Sequence, residues 1–122
     1  MYNYISIFFC LYLSGCVAKV SNLVVFGDSY SDVGNRWQSS NGPGWSQDLA
    51  AGWNASLYSF AFSGATCDRS VNGTPSIIDQ VEMYYHQHLD LPPEETVYAF
   101  WVGHDDIHEA IQANKSGMKL KR

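Results

Sequence analysis

From residue 19 onward the hydrophobic pattern repeats one unit three times: a short apolar run, a Gly- and Ser-rich loop, then apolar residues at helical spacing. Leu23-Val24-Val25-Phe26 closes on Gly27 and reads as a strand buried on both faces. A loop rich in Ser, Gly and Asn runs from Tyr30 to Pro43. Gly44 to Ala51 then sets Trp45, Leu49 and Ala50 at the spacing of a short helix. Ser56 to Ala61 predicts the second strand, and Ser63 to Pro75 a second loop. Ser76 to Leu89 carries Ile77, Ile78, Val81, Tyr84, Tyr85 and Leu89 on a helical stripe, with Pro75 at its start and Pro92 beyond its end. Thr96 to Val102 (TVYAFWV) is β-branched and aromatic almost throughout and predicts the third strand. Asp105 to Asn114 predicts a last helix with Asp105 or Asp106 near its N-terminus. Strands alternating with helices imply an α/β fold with a parallel sheet. In such sheets ligands bind beyond the carboxyl ends of the strands. Three glycine turns fall there: Gly27-Asp28-Ser29, Ser63-Gly64-Ala65 and Gly103-His104-Asp105-Asp106.

The N-terminus has a different pattern. Ile5 to Leu13 (ISIFFCLYL) is apolar but far shorter than the about 20 residues that a membrane span needs. It has the length of a secretory signal core, and Cys16-Val17-Ala18 offers small residues for a cut after Ala18. The expected organisation is a signal peptide over 1–18, a folded region over 19–114 and a basic tail over 115–122. The expected location is extracellular, with no stable membrane span. Leu13-Ser14-Gly15-Cys16 also has the form of a lipoprotein box, so a lipid anchor through Cys16 is the alternative. Asn54, Asn72 and Asn114 each begin an Asn-x-Ser/Thr sequon and are candidate glycosylation sites. Cleavage leaves Cys67 as the sole cysteine, which excludes a cysteine-ligated metal.

Composition narrows the function classes. The 122 residues are 46% hydrophobic, enough for a core and one domain. Net charge is −5, and Arg69 is the only cation between Trp37 and Asn114. No basic surface is available to neutralise phosphates, so nucleic acid is excluded as a partner.

The three turns carry the candidate chemistry. Phe26-Gly27-Asp28-Ser29-Tyr30-Ser31-Asp32-Val33-Gly34-Asn35 resembles the first block of the GDSL-type, or SGNH, ester hydrolases. Ser63-Gly64-Ala65-Thr66 resembles their second block, and Trp101-Val102-Gly103-His104-Asp105-Asp106-Ile107 their third, which is normally Gly-x-Asn-Asp. Gly42-Pro43-Gly44-Trp45, Asn54-Ala55-Ser56-Leu57 and Pro75 to Glu82 are similar to the fungal secreted acetylesterases of carbohydrate esterase family 16. The resemblance covers Leu23 to Ile107.

The resemblance implies a three-layer, flavodoxin-like SGNH hydrolase fold and acyl transfer through Ser29. Ser29 and Gly64 would donate backbone amides to the oxyanion, framed by Gly27, Asp28, Gly103 and Asp106. The third donor is an Asn in the family, and here Asp105 stands in its place. An ionised Asp105 repels an oxyanion, whereas a neutral one donates to it; the like charge of Asp106 favours keeping one of the pair protonated. The resemblance implies a small ester or an acetylated saccharide as substrate, and neither cofactor nor metal. The family's base lies in an Asp-x-x-His block near the C-terminus of a longer chain, and nothing after Ile107 matches it. The expectation is therefore a domain truncated after its third strand–helix unit. The alternative function is a non-catalytic fragment that at most binds carbohydrate or ester. Thr96–Val102 would then be an exposed edge prone to self-association. His86 and His88 read as solvent-exposed, while His104 lies close enough to the turns to be weighed as a substitute base. Trp37, Trp45 and Trp53 read as core residues in or near loops beside the site.

Overall fold

The computed structural model describes residues 19–36, 41–68 and 73–115. The predicted signal segment 1–18, Trp37, the sequon at Asn72 and residues 116–122 of the tail lie outside the described residues.

A strand that is apolar on both faces must be covered on both. The first strand, β1 (Asn22–Gly27), is buried along its whole length and lies in the middle of the described sheet. The order is β2-β1-β3, with β2 at Ser56–Ser59 and β3 at Thr96–Trp101. Both neighbours run parallel to β1, so Leu23 lies beside Leu57 and Val97, and Gly27 beside Trp101. The α/β class and parallel sheet follow the sequence pattern. They are compatible with a flavodoxin-like arrangement.

Alternation along β1 gives the sheet two unlike faces. Leu23 and Val25 pack with Ala50 of α1 (Trp45–Trp53), surrounded by Trp45, Leu49, Leu57, Val97 and Ala99. On the other face Phe26 stacks on Phe60 at 5.6 Å and on Phe100 at 4.7 Å. Tyr84 of α2 (Ile77–His86) meets Phe26 edge-on at 5.9 Å. A 2.7 Å hydrogen bond joins the Tyr84 and Tyr98 hydroxyls. That bond, with some desolvation, pushes the Tyr84 phenol up to about 12.

Several element ends differ from the sequence pattern. Helix α2 stops at His86 rather than Leu89, because His88 turns to a left-handed φ of 48°. Strand β2 stops at Ser59, although Phe60 and Phe62 still donate to the Val25 and Gly27 carbonyls at 2.8 and 3.1 Å. The last helix, α3 (His104–Lys115), starts one residue earlier than expected. Among the described strands β3 is an edge, and Tyr98, Phe100 and Trp101 are exposed on it. No helix among the described residues is long and apolar enough to cross a membrane.

Candidate active site

The carboxyl ends of β1, β2 and β3 bring the three sequence blocks together. Gly27 ends β1 under tight constraint: a Cβ there would stand 2.3 Å from the Trp101 carbonyl oxygen. The side-chain amide of Gln80, fully buried on α2, pairs with both backbone groups of Gly27 at 2.9 Å. It acts as a neighbouring strand would, and it satisfies a buried polar side chain at the same time.

The chain then makes a single helical turn. The Asp28 carbonyl accepts from the Ser31 and Asp32 amides at 3.0 and 3.1 Å. The buried Asp28 carboxylate accepts from the Tyr30 amide at 3.1 Å, in the manner of an N-cap. Ser29 is the first residue of that turn, and the amide there has no acceptor within the turn. Ser29 is half-buried, and neither its amide nor its Oγ has a hydrogen-bond partner among the described residues.

The second block is a β-turn. The Ala65 amide donates to the Phe62 carbonyl at 3.0 Å, and Gly64 takes a φ of +85° at its third position. That combination is a type II turn, whose central amides are not used by the turn itself. The Gly64 amide likewise has no partner among the described residues.

Three carboxylates join the blocks pairwise. Asp32, in block one, accepts from the Ser63 amide and hydroxyl at 2.8 and 2.7 Å. It also accepts from the amides of Gly34, Asn35 and Arg36. Asp28 accepts from the His104 amide at 3.3 Å, which joins block one to block three. Both oxygens of Asp106 accept from the Cys67 amide at 3.1 Å, which joins block three to the residue just after block two. Slight burial, with the Asp106 and Asp28 carboxylates, pushes the Cys67 thiol above its ordinary range.

Asp105 occupies the remaining position of interest. Its Oδ2 is buried and has no hydrogen-bond partner among the described residues. Asp105, Gly64, Ser63, Arg36, Thr74 and His108 line an open cavity of about 450 Å³. The His104 ring instead lies edge-on to Tyr30 at 5.3 Å.

Two curated ester hydrolases resemble the chain. It is 29% identical over 121 aligned residues to an acetylesterase of Hypocrea jecorina, covering 70% of this chain and 35% of that protein. It is 28% identical over 120 aligned residues to Lipase 1 of Photorhabdus luminescens, covering 82% of this chain and 18% of that protein. The chain thus spans about a third of one relative's length and under a fifth of the other's. No family model matches the chain. These likenesses support an esterase/lipase relationship.

Other residues fall differently. Trp45 is half-buried beside the site, its Nε1 donating to Ser31 Oγ at 3.2 Å. Trp53 is exposed at the opposite end of α1, away from the blocks, because its helix runs back along the sheet. His86 and His88 are exposed, as expected. Asn54 is exposed at the C-cap of α1 with φ 52°, and Asn114 is exposed on α3.

The cross-links made by Asp32, Arg36 and Gln80 have no pattern of their own in the sequence. The nearest signal for Gln80 was a polar residue one place before Val81 on an otherwise apolar helix stripe. Asp105-Asp106-Ile107-His108 has a literal Asp-x-x-His spacing that begins within block three and ends one residue beyond it. His108 is exposed on the cavity wall.

Proposed function

We propose that the chain carries the nucleophile and oxyanion-binding part of a secreted serine ester hydrolase of the SGNH type. Its substrates are acetyl esters, including those on short oligosaccharides. The observation that carries this reading is the pair of unpartnered backbone amides, Ser29 and Gly64, in loops held together by Asp32. The likeness to an acetylesterase and a lipase supports the same chemistry, and the apolar run Ile5–Leu13 supports secretion.

Ser29 Oγ attacks the ester carbonyl carbon and gives its proton to a base. The carbonyl oxygen becomes an oxyanion, and the two amides donate to it. The carbon–oxygen bond to the alcohol then breaks, the alcohol leaves with a proton, and the acyl group stays on Ser29. Water repeats the attack, releasing the acid and restoring Ser29. The balance calls for no cofactor.

Hydrolysis of p-nitrophenyl acetate by the chain and by Ser29→Ala tests the proposal. The expected outcome is a loss of at least about 100-fold. Equal rates would overturn the reading. His104→Gln and His108→Gln in the same assay show whether either α3 histidine takes the Ser29 proton.

A further inference from the structure

Arg36 lies just past block one and has no part in the motif. Its guanidinium nonetheless reaches across to block two, where Nη1 donates to the Ser63 carbonyl at 3.2 Å. The same nitrogen donates to Oγ1 of Thr74, a buried residue shortly before α2. Its backbone amide is held by Asp32 at 3.3 Å.

The Ser63 carbonyl and the Gly64 amide are two ends of one peptide unit. A trans peptide points them in opposite directions. Type I and type II turns differ by a flip of this same central peptide, which reverses where its N–H aims. Ser63 is already fixed at its amide and hydroxyl by Asp32. Its carbonyl is the remaining freedom, and Arg36 holds that. A charge-assisted bond to the carbonyl also polarises the amide and strengthens it as a donor.

We infer that Arg36 is a positioning residue: by holding the Ser63 carbonyl it fixes the direction and strengthens the donor power of the Gly64 amide. The inference rests on the ester-hydrolase reading. It predicts that Arg36 acts on the transition state through Gly64 and leaves substrate binding largely alone. Arg36→Met should lower kcat for p-nitrophenyl acetate by about 10- to 100-fold with KM nearly unchanged, somewhat less than the loss of a whole oxyanion donor. Arg36→Lys should fall between the two, because an ammonium keeps the charge but not the planar fork.

A measurement independent of turnover uses phenylboronic acid, whose boron takes up a serine oxygen to form a tetrahedral anion. In the ¹⁵N-glycine-labelled chain the Gly64 amide resonance should shift on titration. Arg36→Met should weaken that titration by about 10-fold or more. It should also displace the Gly64 resonance before any boronate is added. Arg36→Lys serves if Arg36→Met does not fold. An Arg36→Met chain with wild-type kcat, boronate affinity and Gly64 shift would overturn the inference while leaving the Ser29 reading intact. Boronate binding that survives Ser29→Ala would overturn both.

Discussion

The loop leaving β1 and the loop leaving β3 open on the same side of one sheet, but they are held unequally. The β1 loop begins beneath a fully buried glutamine that grips Gly27 by both backbone groups. Asp32 gathers five donors from that loop and from block two. Asn35 adds bonds to the Ser59 and Ala61 carbonyls at 3.0 and 2.9 Å. The β3 loop has a 3.3 Å bond from the His104 amide to Asp28 and the Asp106 pairing with Cys67. Its Asp105 keeps one buried oxygen without a partner among the described residues. The difference follows from place in the sheet. β1 is flanked on both sides and covered on both faces, so its loop finds anchors in every direction. β3 is an edge among the described strands. Ser29 therefore lies in the well-held loop, Gly64 lies in the loop after β2 that Asp32 ties to it, and Asp105 lies in the sparsely held one.

The strongest way to break this contrast is Asp32→Ala. Asp32 is buried, and a hydrogen bond to a charged group contributes about 1.5–3 kcal/mol, less where its donor is exposed, as at Gly34, Asn35 and Arg36. The expected destabilisation is about 3 kcal/mol or more, read from urea unfolding. A change within about 0.5 kcal/mol, as an ordinary surface substitution gives, would show that the β1 loop does not depend on this carboxylate.

Asp105→Asn sharpens the contrast from the other side. It turns an acceptor-only carboxylate into an amide donor without changing its shape. Hydrolysis of p-nitrophenyl acetate should rise about 10- to 100-fold, part of what one oxyanion donor is worth. An unchanged rate would mean that Asp105 does not face the reacting oxygen.

The smallest expected effect concerns Asp106. Its carboxylate helps hold the Cys67 thiol up, so the thiolate fraction at a given pH is below that of a free cysteine. Asp106→Asn should lower that pKa and move the pH profile of iodoacetamide alkylation toward lower pH. A profile with the same midpoint would remove Asp106 as a cause.

Much of this site was legible in the sequence because it is local. An apolar run ended by Gly-Asp-Ser places a serine at a strand end, and Ser-Gly-Ala in a polar loop places a glycine in the turn after the second strand. The links between blocks were not legible. Arg36 and Ser63 are separated by 27 positions, and Gly27 and Gln80 by 53. No periodicity connects such residues, and a glutamine or arginine in isolation reads as surface. The end of α2 was misplaced for a related reason: Pro92 suggested where the helix must have stopped, while His88 had already turned the backbone.

The sequence by itself determined the three strand–helix units and the parallel class of the sheet, and it set Ser29, Gly64 and Asp105 in the turns after the strands, because each rests on short-range pattern and backbone preference. Only the tertiary structure decided that, among the described residues, β1 lies centrally, three aspartates link the turns pairwise, and the Ser29 and Gly64 amides are left without partners. Those outcomes depend on which buried donors meet which acceptors, and that is settled only when the sheet closes and water leaves.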